Sequence, residues 1–398
     1  MKFSVIYNLL GSLFDKGLPI IISVFLTKYM TVNDYGVWSL FFQFILIINS
    51  LCTTPLTTIF SRSFFKNKEE NPKIKIFNLK DISLLFLVAT ILFYSFFAPI
   101  NINILVELPA LVCLALYTYL GLYFRFKKED KKYFLYSLLR LGIFSVGIWM
   151  SIFFTGTVSY RNLIILFIVC HIPSLLVSFK NMSFTNNETK DKKDFYSLAA
   201  YGLSTSLVSG LDKFVIIAAG FSINFLAFYS FIYTLTNAPT IIIEALKKTI
   251  QPTMYKELSE SEKISTNTIK KILIVIFVIL IVQFSAPIIL FRVLEKLNLI
   301  NSEFLHVDDT YIFITILSIG AFFQAMYHFI NPIQFYFKKS NFLLYIQGVS
   351  LVLYMLFVYI FASELHYMSF MWLKTGVLIL VTVLTFNHAR KLHLKQVL

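Results

Sequence analysis

Charge is what this chain of 398 residues has least of. Asp, Glu, Lys and Arg make up 14% of it, against 58% hydrophobic residues and a mean hydropathy of +0.75. Soluble domains carry about 25% charge, so an ordinary core cannot take up this much apolar surface. The composition excludes a cytosolic enzyme, an intrinsically disordered chain and a secreted disulfide scaffold, and leaves a polytopic membrane protein. Cysteine is also scarce. Cys52, Cys113 and Cys170 lie inside apolar stretches without paired spacing and read as small buried hydrophobes. Signatures of chemistry are missing as well. There is no G-x-x-x-x-G-K-[ST] loop to hydrolyse ATP, no G-x-S-x-G, no H-E-x-x-H, and the six histidines are scattered.

What is present is long apolar runs. A span needs about 20 mostly apolar residues, and that template finds roughly twelve: 6–30, 36–60, 82–100, 102–124, 133–155, 161–180, 198–220, 224–246, 272–294, 309–331, 341–362 and 367–389. The first run has an internal Asp15-Lys16 and no small-residue cleavage site, so it reads as a retained helix rather than a signal peptide. Basic residues then orient the chain. Lys2, the loops at 62–80, 125–132, 180–193 and 247–271, Lys338-Lys339 and the tail hold 27 basic residues on one side. The other side holds Lys28, Arg161, Arg292 and Lys296. By the positive-inside rule both termini are cytoplasmic. The net charge of +14 is thus mainly a topology signal; the loops need no nucleic acid and no partner beyond anionic lipid headgroups.

The two halves match. The most polar internal stretch lies near the midpoint, which divides the chain into a six-helix lobe at 1–180, a cytoplasmic linker at 181–197 and a six-helix lobe at 198–398. Leu13-Phe14-Asp15-Lys16 parallels Gly210-Leu211-Asp212-Lys213. Tyr35-Gly36-Val37-Trp38-Ser39 has a counterpart in Ala227-Phe228-Tyr229-Ser230, Ala98-Pro99-Ile100 in Ala286-Pro287-Ile288, and Phe126-Lys127-Lys128 in Phe337-Lys338-Lys339. Four short matches in one order indicate a duplicated unit. Six helices is an even number, so both copies enter from the cytoplasm and the repeats are parallel. The expected fold is all-α and integral to the membrane, with about twelve helices in two parallel six-helix lobes. Transporters of this build place their site near mid-membrane between the halves.

Charges at membrane depth cost about 2.5–3.5 kcal/mol each on the insertion scale. The candidates are Asp15, Lys16, Arg140, Asp212, Lys213 and Lys374. Lys374 lies near the end of its span and is the one most expected to snorkel. Adjacent residues stand about 100° apart on a helix, so Asp15 and Lys16 cannot both face a cleft, nor can Asp212 and Lys213. Each acid has a second reading as a partner of a neighbouring base that locks helices together. Polar stripes run along four helices: Asn8, Ser12 and Asp15; Ser39, Gln43, Ser50, Thr54, Thr57 and Ser61; Thr205, Ser209 and Asp212; and Tyr229, Tyr233, Asn237, Thr240 and Glu244. A central wet cleft requires such stripes, whereas lipid-facing helices do not show them.

The motif Asn33-Asp34-Tyr35-Gly36-Val37-Trp38-Ser39, the run Leu211-Asp212-Lys213-Phe214-Val215-Ile216 followed by Phe228-Tyr229-Ser230, and Gln251-Pro252-Thr253-Met254-Tyr255 together resemble polysaccharide flippases of the Wzx type. These belong to the group that includes multidrug and toxic-compound extruders and the flippase of the peptidoglycan lipid precursor. The family often has glycine in its second aromatic turn; here Ala227 stands in its place. The resemblance implies a MATE-like fold without catalytic residues. It further implies movement of an undecaprenyl-diphosphate-linked oligosaccharide, an O-antigen or capsule repeat unit, from the cytoplasmic to the periplasmic leaflet of a bacterial inner membrane. A polysaccharide polymerase and a chain-length regulator are the implied partners. Lys16, Arg140, Lys213 and Lys374 are the candidates for the diphosphate, and Asn8, Gln43, Tyr229, Tyr233 and Asn237 for the sugars. Asp15 and Asp212 are the candidates to exchange a proton or a sodium ion. Three other readings compete: a cation-coupled drug antiporter of the same fold, an integral-membrane glycan polymerase, and a scaffold that transports nothing. The first would favour an acid-rich cavity, the second larger outer loops, and the third would not need the stripes.

Overall fold

The computed structural model of the chain describes residues 26–67, 74–76, 129–184, 192–240, 265–300, 309–336, 340–361 and 367–395, with single positions in 7–14, 109–124 and at 254 and 257. Of the expected spans, 82–100 lies outside the described residues, 6–30 and 102–124 are described only in part, and 224–246 is described as far as 240. Among the described residues the fold is all-α apart from one short parallel pairing of β1 (Ile74–Ile76) with β2 (Met182–Phe184). Among the described residues seven helices are long and apolar enough to cross a membrane. They fall on the expected runs beginning at 36, 133, 161, 272, 309, 341 and 367. The chain is a multi-pass membrane protein.

Two compact units form by contact, Met1–Leu18 with Tyr29–Gly210, and Pro19–Lys28 with Leu211–Leu398. Along the chain the boundary between the compact units falls after Gly210, with Pro19–Lys28 grouped into the second.

The first unit contains α1 (Val32–Asn67), α2 (Asp130–Thr155), α3 (Tyr160–Asn181) and α4 (Lys192–Gly210). The Thr31 hydroxyl caps α1 by accepting from the Asp34 amide at 3.1 Å. The main packing seam joins α1 to α4 and depends on two glycines. A Cβ at Gly202 would meet the Ser50 carbonyl and the Thr54 side chain, and a Cβ at Gly210 would overlap the Gln43 amide. Close backbone approach through small residues is how helices associate without a hydrophobic driving force between them. The Ser50 hydroxyl donates across the seam to the Gly202 carbonyl at 2.9 Å. Gln43, Ser50 and Thr54, three members of the stripe on this helix, are thus engaged in helix contact.

The second unit contains α5 (Asp212–Ala218), α6 (Ile223–Asn237), α7 (Thr266–Lys296), α8 (Thr310–Tyr336), α9 (Ser340–Phe361) and α10 (Tyr367–Lys395). Ser222 and Ser265 cap α6 and α7, each accepting from an amide three residues on at 3.2 Å. Buried polar side chains tie the helices together. Thr382 donates to the Phe323 carbonyl at 2.8 Å, Thr375 to Ile316 at 3.2 Å and Gln283 to Thr236 at 2.6 Å. Outward faces are apolar: Leu273, Ile274 and Phe277 on α7 and Val352, Phe357 and Ile360 on α9 are exposed, as they are in lipid.

The expected single span at 198–220 is two helices. The helix is interrupted at one residue, Leu211, between Gly210 and Asp212; its φ of −64° and ψ of −25° stay right-handed helical. Glycine is a poor helix interior residue, and here its missing side chain is what lets Gln43 approach.

Candidate functional site

The break at Leu211 sets Asp212 and Lys213 in the first turn of α5, where free backbone amides favour an acid. Tyr229 and Tyr233 are four residues apart on α6, so both present to the same side and stack with centroids 6.0 Å apart. Lys374 on α10 completes the group. Its ammonium donates to Asp212 Oδ2, as does the Tyr229 hydroxyl. Lys374 Nζ also lies 3.3 Å from Tyr229 Oη and 4.4 Å from the centroid of the Tyr233 ring. Lys213 Nζ stands 5.7 Å from that same ring, and among the described residues it has no carboxylate at ion-pair distance.

Burial is nearly complete: Asp212 is 2% exposed, Lys374 4%, Lys213 5% and Tyr229 0%. Lys374 therefore does not snorkel as expected from its place in the span; the carboxylate holds it inside. Asp212 and Lys213 are both buried in one cluster, because Tyr233 extends the site around the helix to reach the second of them. Counting the described residues, two ammonium groups and one carboxylate give the site one surplus positive charge. Asp212 Oδ1, buried like Oδ2, has no hydrogen-bond partner among the described residues, and neither has the hydroxyl of Tyr354 on α9. Tyr354 packs on Phe370, which in turn meets Tyr229 edge-on.

A second buried cation lies in the first unit. The Arg140 guanidinium on α2 sits 4.1 Å over the Tyr117 ring, and its Nη1 is 3.4 Å from His171 Nε2 on α3. The Phe167 carbonyl, an acceptor only, lies 2.6 Å from His171 Nδ1. A guanidinium only donates, so His171 is held as the neutral Nδ1–H tautomer. Tyr117 shares a hydrogen bond with Ser137 at 2.9 Å.

Of the residues singled out in the sequence, the structure brings together Asp212, Lys213, Tyr229, Tyr233 and Lys374. Asn237 lies one turn beyond Tyr233 and donates to that residue's carbonyl at 2.8 Å. Gln43 packs against Gly210, and Arg140 belongs to the first-unit group. Asn8, Asp15 and Lys16 lie outside the described residues. Sequence reasoning missed Tyr117, His171 and Tyr354. Single tyrosines and histidines in apolar runs carry no spacing signal, and only packing reveals what they touch.

No model of a known protein family matches the sequence, and no curated protein matches it. Solved structures do match by fold. A multidrug resistance MATE family transporter of the MOP superfamily, in its outward-facing conformation, is 12% identical with a TM-score of 0.68 over 98% of this chain and 94% of that one. The fold is that of the MATE transporters. A MATE transporter of Vibrio cholerae, as a mutant, is 13% identical with a TM-score of 0.64 over 98% of this chain and 95% of its own. A MOP superfamily transporter from Pyrococcus furiosus, described by the reverse polarity of its binding pocket and a suggested different function, is 11% identical with a TM-score of 0.61, over 97% and 94%. These neighbours are transporters.

Proposed function

We propose that this chain is a flippase for an anionic lipid-linked oligosaccharide, an undecaprenyl-diphosphate carrying an O-antigen or capsule repeat unit. It sits in a bacterial inner membrane with both termini cytoplasmic and moves its substrate to the periplasmic leaflet by alternating access of the two lobes. The observation that carries this reading is the surplus positive charge of the buried Lys213–Lys374–Asp212 group on its tyrosine floor. A diphosphate needs cationic groups away from bulk water, and the rings of Tyr229 and Tyr233 suit sugar faces. Arg140 over Tyr117 gives the first lobe a cation of its own. The prenyl tail stays in lipid, and a polymerase and a chain-length regulator take the product. No cofactor is required, and a proton or a sodium ion is the coupling ion.

The rival on the same fold is a drug antiporter. Asp212 would be its cation site, but Lys374 already occupies the carboxylate. The Pyrococcus furiosus transporter, with its pocket of reverse polarity, is a precedent for this fold carrying more than one pocket chemistry.

The test is the leaflet location of lipid-linked sugar units in cells lacking the gene, read with an impermeant glycan probe on intact spheroplasts. Complete units trapped on the cytoplasmic face are expected. Single units that reach the outer face but stay unpolymerised would replace the flippase with a polymerase, and normal polymer would turn attention to the drug antiporter.

A further inference from the structure

The Asp212 carboxylate does what a substrate phosphate would do. Through Oδ2 it accepts from the two donors best placed for an oxyanion, Lys374 Nζ and the Tyr229 hydroxyl. We infer that Asp212 is an internal counterion which an entering phosphate displaces, and that each anion bound brings one proton onto the Asp212 carboxyl. The inference rests on the anionic-lipid reading above.

Three observations carry it. The pair is buried on both sides, so water does not screen an incoming anion from the carboxylate. Two anions sharing one buried cationic site repel, and the shared site resolves this by protonating one of them. Second, Asp212 Oδ1 receives no hydrogen bond among the described residues. The carboxylate is cradled at one oxygen only, and the other is open to a proton. Third, the charge balance fits. Among the described residues two lysines and one carboxylate leave a surplus of one; a neutral carboxyl leaves two, matched to the two charges of a diphosphate esterified at both ends. The charged and titratable groups around Asp212 are Lys213 on its own helix, Tyr229 and Tyr233 on α6, Tyr354 on α9 and Lys374 on α10. Among the described residues Asp212 is the one carboxylate of this group, so the proton goes to Asp212. The step takes a proton from solution, so an O–H bond of a hydronium ion breaks as one forms on the carboxyl, and the Lys374–Asp212 ion pair is exchanged for one between Lys374 and the phosphate.

The sign follows from linkage. Where the free site holds Asp212 ionised and the occupied site holds it neutral, anion affinity falls about tenfold for each unit rise in pH.

The experiment uses the full chain in lipid nanodiscs, with farnesyl diphosphate as probe. Calorimetric titration in buffers of different ionisation enthalpy counts the protons taken up on binding. Wild type should take up about one proton more per diphosphate than Asp212→Asn, and the probe's own protons cancel in the comparison. Asp212→Asn should also bind at least as tightly as wild type, and Lys374→Met should lose most of the binding. Equal proton uptake, or weaker binding by Asp212→Asn, overturns the counterion role while leaving the lipid reading in place. No binding by folded wild type or either variant overturns both. A second measurement needs no variant. Sulfate keeps its charge between about pH 5 and about pH 8, so it should raise the thermal midpoint of wild type more at the acid end. An equal or smaller shift there would count against the proton.

Discussion

Lys374 and Asp212 are each buried and each other's partner, so the effect of removing one depends on what is left behind. Lys374→Met strands a carboxylate, and Asp212→Asn strands an ammonium, although Tyr229 and Tyr233 remain beside it. Breaking one side of a buried pair costs about 3–5 kcal/mol, whereas replacing both partners by groups of similar size is often nearly neutral. Lys374→Met should therefore destabilise strongly and Asp212→Asn less, with the double variant recovering most of the loss. Thermal unfolding in one detergent, arranged as a double-mutant cycle, measures this; additive losses would mean that the pair does not couple. Asp212 and Lys213 were visible in the sequence as charges inside an apolar run, and Tyr229 and Tyr233 as a spacing of four. That Lys374 would be the partner was not visible. It is 162 positions from Asp212, and its place near the end of a span suggested the opposite exposure.

At the scale of elements, the seam between α1 and α4 makes two glycines differ in a testable way. An alanine at position 210 meets the end of a flexible side chain, and one at position 202 meets the Ser50 backbone carbonyl as well as Thr54. Overpacking of this kind costs about 1–3 kcal/mol. Gly210→Ala should be rescued by Gln43→Ala, which empties the contested space. Gly202→Ala should not be rescued by Thr54→Ala, because the carbonyl stays. Unfolding midpoints of the two single and two double variants decide it, and rescue of both pairs would show that the Ser50 backbone yields. The polar stripe on this helix was legible as a periodicity, but its use was not. A run of Ser, Thr and Gln at helical spacing marks one face as unfit for lipid; both a wet cleft and a close helix seam satisfy that condition.

For the whole molecule, the proposed cargo is an anion that moves outward, and an inside-negative potential drives it by about 2.3 kcal/mol per charge per 100 mV. In vesicles, collapsing such a potential should lower outward accumulation of a labelled lipid-linked diphosphate by about fifty-fold for each net charge moved. The inferred proton removes one negative charge per cycle, so Asp212→Asn should respond more steeply to voltage than wild type. Accumulation indifferent to potential and to proton and sodium gradients would remove both energy schemes.

The sequence by itself determined that this is a many-spanning helical membrane protein, where most of its spans lie, and which charged residues lie within them. Hydropathy and charge act locally, through the cost of placing each residue in hydrocarbon, so they can be read along the chain. Tertiary structure decided the break at Leu211, the engagement of Gln43 with Gly210, and the meeting of α5, α6 and α10 around one carboxylate. Those depend on which helix faces meet, and side-chain pairing across distant spans is fixed only when the helices pack.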